Sequence, residues 1–205
     1  MTLQEIGEIP EVKVLLEMMA LANSEAYYHS LSVAMYTNLI LRECDNYTEE
    51  RKVEIIKGAL LHDIGKIFVP LNLTQCPKAL NAQEYDIVKV HATISYEIVK
   101  PVFSEIVQNI CLSHHERPNG SGYMSKISLS QIPEEALLVQ VADVFDALTS
   151  NRSYKKSYSK NEALDILKKE ASELRLDDTY VTLLEKVIEK NKGKGVIQNE
   201  LSNTV

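Results

Sequence analysis

Apolar residues recur at three- and four-residue intervals along most of the chain, and the period-two alternation of half-buried strands is scarce. Only seven glycines and six prolines interrupt the pattern. An all-α fold of about seven or eight helices is therefore expected. The spacing predicts a first helix from Glu11 to Ala22. A second follows Asn23 or Ser24 as cap and runs to about Glu43. Thr48 opens a third, with Gly65 as its stop. Residues 70–80 read as a connector. Asn81 caps a helix from Ala82 to about Lys100, and Pro101 starts another that ends at His114 and His115. A glycine-containing loop follows. Pro133 begins a helix to about Ser150, Ser159 caps one to Ser172, and a last helix covers about Asp178 to Asn191. The expected domain spans 1–191, and 192–205 reads as a flexible tail.

Composition narrows the function classes. The three cysteines, Cys44, Cys76 and Cys111, are far apart and form no CxxC pair, which argues for a reduced compartment and against a thiolate zinc site. No apolar run approaches the roughly 18 residues of a membrane span. The N-terminus carries acids where a secretory signal would carry bases. A cytoplasmic location is expected, as a stand-alone domain. The net charge of −7 does not favour duplex nucleic acid or an anionic membrane as partner. An anionic substrate would need local cations.

The chain has five histidines, and each falls on an expected inward face or at a helix end. His62 continues the stripe of Ile55 and Ala59, and Asp63 that of Ile56 and Leu60. A carboxylate and an imidazole buried side by side are costly without a partner, and a cation is the natural one. Glu25 lies four residues before His29, so both side chains leave one helix in the same direction. His91 is expected on the stripe of Ile87, Ile94 and Ile98. Asp143 shares a stripe with Ala136, Val139 and Ala147.

Each position alone has a plainer reading. A single histidine on an apolar stripe is more often a satisfied core residue, and Glu25 alone is a first-turn acid favoured by the helix dipole. Together, Glu25, His29, His62, Asp63, His91, His114, His115 and Asp143 exceed what one ion takes. Imidazole and carboxylate donors without thiols suit iron or manganese, with zinc as a further alternative. Two or three bridged divalent ions would suit phosphoester hydrolysis, because they ionise a water and neutralise charge on the attacking and leaving oxygens.

These residues resemble the HD-GYP family of metal-dependent phosphodiesterases, within the HD superfamily. His62-Asp63-Ile64-Gly65-Lys66 is similar to the family's HDIGK signature. His114-His115-Glu116 through Gly120, Gly122 and Tyr123 is similar to HHExxDGxGYP. The run from Ala142 to Ser150, with Arg152 and Tyr154, is similar to ADVFDALTS-x-R-x-Y. The resemblance implies an HD-domain helical bundle that hydrolyses cyclic di-GMP to pGpG and/or GMP through a metal-activated hydroxide; some members act on cyclic GMP-AMP. It implies that His29, His62, Asp63, His91, His114, His115 and Asp143 hold the metals, with iron the usual one. Glu25 matches the acid of members with a third ion. Asp63 and Lys66 carry the catalytic roles, with Lys66 meeting the scissile phosphate. Arg152 and Lys155 grip the substrate's phosphates, and Tyr123 packs near the guanine. As residues alone, Arg152, Lys155 and Lys156 have a plainer but less favoured reading as a solvated basic turn before the helix at Lys160.

Two positions depart from the family pattern. Asn119 stands where the signature has aspartate, and Met124 where it has proline. Neither is a metal ligand, so substrate fit is more exposed to the change than catalysis is. The rival readings are another HD-type nucleotide phosphohydrolase and a non-catalytic cyclic-dinucleotide receptor.

Overall fold

A computed structural model of the chain describes residues 1–150 and 157–191. Arg152, Lys155, Lys156 and the expected tail lie outside the described residues. Every regular element among the described residues is helical: α1 Leu3–Gly7, α2 Pro10–Ala22, α3 Ser24–Leu41, α4 Glu49–Leu61, a 3-10 segment Ile64–Phe68, α5 Leu71–Thr74, α6 Ala82–Lys89, α7 His91–Val99, α8 Glu105–Ser113, a second 3-10 segment Leu129–Gln131, α9 Glu134–Thr149, α10 Lys160–Ser172 and α11 Asp178–Lys190.

The all-α expectation holds, and the caps fall largely where the sequence puts them. The side chains of Asn23, Thr48, Asn81 and Ser159 each accept a backbone N–H of the turn they open. At Asn81 and Ser159 the bond is returned by Glu84 and Glu162, closing a capping box.

The segments outnumber the seven or eight expected, for local reasons. The short α1 and α5 lack enough turns to show a period. The single helix expected over 82–100 breaks at Val90. There the imidazole of His91 donates from Nδ1 to the Val88 carbonyl at 2.6 Å, a carbonyl that an unbroken helix would offer to the amide of residue 92. Pro101 does not start α8; Ser104 is its N-cap, and residues 101–103 form a turn on the Val99 carbonyl. Gly65 is not a helix stop either. It sits inside the 3-10 segment after α4 has already ended at Leu61.

Helices α3 and α9 form the centre. Both bury side chains around most of their circumference, as expected for elements with neighbours on several sides. They pack on each other, α3 also packs on α4, and α8 packs on α4, α7 and α9. The rings of Tyr36 and Phe145 meet edge to face across the α3–α9 contact, with centroids 4.9 Å apart. The 3-10 segment packs mainly on α7. That contact is where Gly65 matters: a Cβ there would lie 2.2 Å from the His91 carbonyl oxygen and 2.8 Å from the Ser95 amide nitrogen. Its own N–H donates to Ser95 Oγ at 2.8 Å.

Gly65→Ala is expected to push α7 away from the 3-10 segment. A loss of about 1–3 kcal/mol, the usual range for overpacking, should appear in urea denaturation. His91 should shift with it, so retained metal should also fall on elemental analysis.

Candidate metal centre

Five elements deliver polar side chains to one buried point. His29 comes from the second turn of α3. His62 is the C-cap of α4, and Asp63 precedes the 3-10 segment. His91 is the first residue of α7, and His114 is the C-cap of α8. Asp143 projects from the middle of α9. All of these are buried, and the adjoining His115 is partly so. The stripe expected for His91 is not the one observed: Ile87 is exposed, and the buried face of α7 is His91, Ala92, Ser95 and Val99.

Three of the histidines are oriented by the same device. Each donates from Nδ1 to the backbone carbonyl three residues earlier: His62 to Ala59 at 2.8 Å, His91 to Val88 at 2.6 Å, and His114 to Cys111 at 3.0 Å. Helix ends leave such carbonyls without amide partners. The bond fixes the tautomer, so Nε2 carries the lone pair and faces the centre.

The donor atoms form two groups. Asp63, His91, His114 and His115 make one, and His29, His62 and Asp143 the other; within each, the candidate atoms lie within 4.8 Å of one another. Asp63 links the two. Its Oδ1 lies 3.2 Å from His91 Nε2 and 3.8 Å from His114 Nε2. Its Oδ2 lies 3.4 Å from His62 Nε2 and 3.7 Å from His29 Nε2, and is also ion-paired with Lys66.

The groups fit divalent ions on their own chemistry. His62 Nε2 and Asp63 Oδ1 are buried without a hydrogen-bond partner. His91 Nε2 does not serve Oδ1, because its proton is on Nδ1. His91 Nε2 also faces Nε2 of His115 at 3.1 Å and of His114 at 3.4 Å. The lone pairs of His91 and His114, both with Nδ1 tied to a carbonyl, repel at 3.4 Å unless a cation lies between them.

The charges follow the surroundings. Burial favours a neutral Asp63, yet the Lys66 ammonium beside it outweighs burial and holds the carboxyl well below the usual range. Asp143 is likewise held well below it, chiefly by its hydrogen bond to His29 against the effect of burial. Burial pushes His114 down to about 3 and His115 well below its ordinary value. His29 behaves oppositely. Burial lowers it, but hydrogen bonds to Asp143 at 2.9 Å and Asp146 at 2.6 Å win and raise it to about 9.

Glu25 lies in neither group. It lines a groove beside them with His29, Lys66, Cys76 and Val88. Tyr123 is stacked on His115, with centroids 4.6 Å apart and planes at 29°. Asn119 does more than support a turn: its Nδ2 donates to the Glu173 carbonyl at 3.1 Å, and its Oδ1 accepts from the Ser121 amide and hydroxyl. Gly122 is required, because a Cβ there would lie 2.4 Å from the Arg117 amide nitrogen.

Three supporting residues were given no role in the sequence reading. Asp146 accepts from His29 Nδ1 and from Ser150 Oγ; its position one turn after Asp143 was the available signal. Gln140, one turn before Asp143, is fully buried and donates to the His114 carbonyl at 3.0 Å and to the Glu116 carbonyl. Glu116 is buried and accepts from the amides of Ser125, Lys126 and Ile127. No helical period could expose a carboxylate that caps a loop.

A family model described as HD domain matches residues 13–180. The chain belongs to the HD-domain family. It is 34% identical over 178 residues to the 3'3'-cGAMP-specific phosphodiesterase 1 of Vibrio cholerae, covering 85% of this chain and 41% of that protein. It is 40% identical over 134 residues to a cyclic di-GMP phosphodiesterase of Thermotoga maritima, covering 64% of this chain and 36% of the other. The chain thus spans about two fifths of the length of these relatives. A solved HDG"Y"P protein from Bdellovibrio bacteriovorus superposes with a TM-score of 0.66 at 21% identity, over 91% of this chain and 68% of that one, a likeness of fold. Among the described residues no helix is long and apolar enough to cross a membrane.

At pH 7 the metal-free His29 retains both ring protons, because its value of about 9 lies above that pH. An ion that takes Nε2 must displace one. Metal affinity should therefore weaken as pH falls below about 9, with about one proton released per chain from this residue near pH 7. Calorimetric titration in buffers of different ionisation enthalpy measures that release. His114 and His115 are already neutral and should add none. Asp146→Asn should weaken metal retention about 10–100-fold in chelator competition, as loss of a carboxylate behind a ligand histidine commonly does.

Proposed function

We propose that this chain hydrolyses a cyclic dinucleotide, cyclic di-GMP, to pGpG and/or GMP. The observation that carries the reading is the buried Asp63 carboxylate, shared between two groups of imidazole and carboxylate donors. The relatives' names, covering both cyclic di-GMP and 3'3'-cGAMP phosphodiesterases, support the substrate class.

Asp63, His91, His114 and His115 would hold one ion, and His29, His62 and Asp143 a second, with Asp63 common to both. Donors of nitrogen and oxygen alone suit iron or manganese, with zinc as an alternative, and the family resemblance favours iron among them. When bound, the ions supply an ionised water and neutralise charge on the phosphoryl oxygens. The protein's part is orientation. Asp146 holds the His29 ring, and three backbone carbonyls hold His62, His91 and His114. Lys66 keeps a partly exposed ammonium beside Asp63, where it can turn to a phosphoryl oxygen as phosphorus is attacked in line with the departing ribose 3'-oxygen. Arg152 and Lys155 are assigned to the substrate's other phosphate contacts, and Tyr123 to a base.

Metal-loaded protein should convert cyclic di-GMP in a panel with cyclic GMP-AMP and mononucleotides, with products identified by mass spectrometry. Turnover of mononucleotides alone would overturn the assignment. Asp63→Ala should abolish turnover and lower bound metal. Lys66→Met should lower kcat about 10²–10³-fold, the usual loss for one donor to a developing oxyanion. Glu25 stands outside both groups, so Glu25→Ala should keep its metal on elemental analysis; loss of an ion would instead support the trinuclear arrangement.

A further inference from the structure

Helix α6 is two turns long, and none of its residues is buried. Its apolar side chains are left half in water: Tyr85 and Ile87 are each 47% exposed. A helix that contributes nothing to the core needs another reason for carrying them. Tyr85 points to one. Its ring meets Tyr123 edge to face, with centroids 6.0 Å apart and planes at 79°. One turn further on, Lys89 sets its ammonium 5.1 Å from the Tyr85 centroid and 6.0 Å from that of Tyr123. Asp86 pairs with Lys89 at 2.5 Å. Tyr123 itself stacks on His115. The aromatic surface of α6 is thus continuous with the ring of a metal-facing histidine.

A half-exposed aromatic ring with a cation beside it is the chemistry of nucleobase recognition. The face stacks on any base, and the ammonium selects among them. Guanine presents O6 and N7 as adjacent acceptors, whereas adenine replaces O6 with an amino donor. A lysine can serve both guanine acceptors but meets the adenine amino group donor against donor. We propose that Tyr85 and Lys89, together with Tyr123, form a base subsite that selects guanine, with Tyr85 stacking on the ring and Lys89 donating to its O6/N7 edge. This rests on the cyclic-dinucleotide reading and assigns its base preference to a helix outside the signature motifs.

The competing explanation is that Tyr85 only anchors α6 as an apolar side chain. Tyr85→Leu separates the two, since leucine retains apolar contact and removes the stacking face, while Tyr85→Phe retains both. Half-exposed Tyr85 can be replaced without opening the core, and circular dichroism with elemental analysis confirms helix and metal content. For cyclic di-GMP, Tyr85→Leu should raise KM about tenfold, with kcat changing much less, and Tyr85→Phe should stay near the wild type. Lys89→Met should cut the preference for cyclic di-GMP over cyclic di-AMP about tenfold. An unchanged KM in Tyr85→Leu overturns the stacking role. Equal losses on both substrates in Lys89→Met overturn the guanine selection.

Titration with GMP and AMP, which needs no turnover, keeps the failures apart. If the wild type cleaves no cyclic dinucleotide yet binds GMP more tightly than Tyr85→Leu does, the function reading falls and the subsite stands. If the two bind GMP equally, the subsite falls whatever the turnover.

Discussion

A single carboxylate sets the terms for the molecule. Asp63 is 1% exposed, and it stays ionised because the Lys66 ammonium outweighs the penalty of burial. A buried charge of this kind is tolerated only when the surroundings are built around it. Four imidazoles and a lysine face it, drawn from α3, from the end of α4 and the 3-10 segment after it, and from the near ends of α7 and α8. The bundle is therefore organised around a polar point as much as around its apolar core. The Gly65 contact shows how tightly: without a Cβ at that residue, His91 and Asp63 are brought together within the thickness of one backbone.

The ends of helices do much of this work. A C-terminal turn has carbonyls to spare, and His62 and His114 use theirs as ring holders. His91 reproduces the arrangement by interrupting a longer helix. Aim and tautomer are thus settled before any ion arrives. This lowers the reorganisation that binding would otherwise demand.

Much of this was legible in the sequence because it rides on a helical period. Asp63 follows Ile56 and Leu60 at helical spacing, and His62 follows Ile55 and Ala59, so their burial could be read directly. The caps at Asn23, Thr48, Asn81 and Ser159 are chemical signatures, readable one residue at a time. What the period could not show was decided by backbone detail. The break at Val90 depends on a ring proton finding a carbonyl, and it moves Ile87 off the face that a continuous helix would bury. Gly65 reads equally well as a stop or as a close contact until its neighbour is known. Glu116 and Gln140 act through carbonyls and loop amides, which have no sequence letter of their own. Glu25 satisfied the spacing rule with His29, but sharing a helix face did not bring it into either donor group.

Asn119 departs from the family signature, and its amide does something a carboxylate cannot. It donates to the Glu173 carbonyl, while the Asn119 N–H donates to the Leu174 carbonyl at 2.8 Å. Two bonds thus fasten the loop that carries Tyr123 to the turn between α10 and α11. An aspartate at 119 would keep its bonds to Ser121 but lose the donor to residue 173. The position of the Tyr123 loop is thereby tied to the packing of α10 on α11, and an acid at 119 would leave that tie to the backbone bond alone.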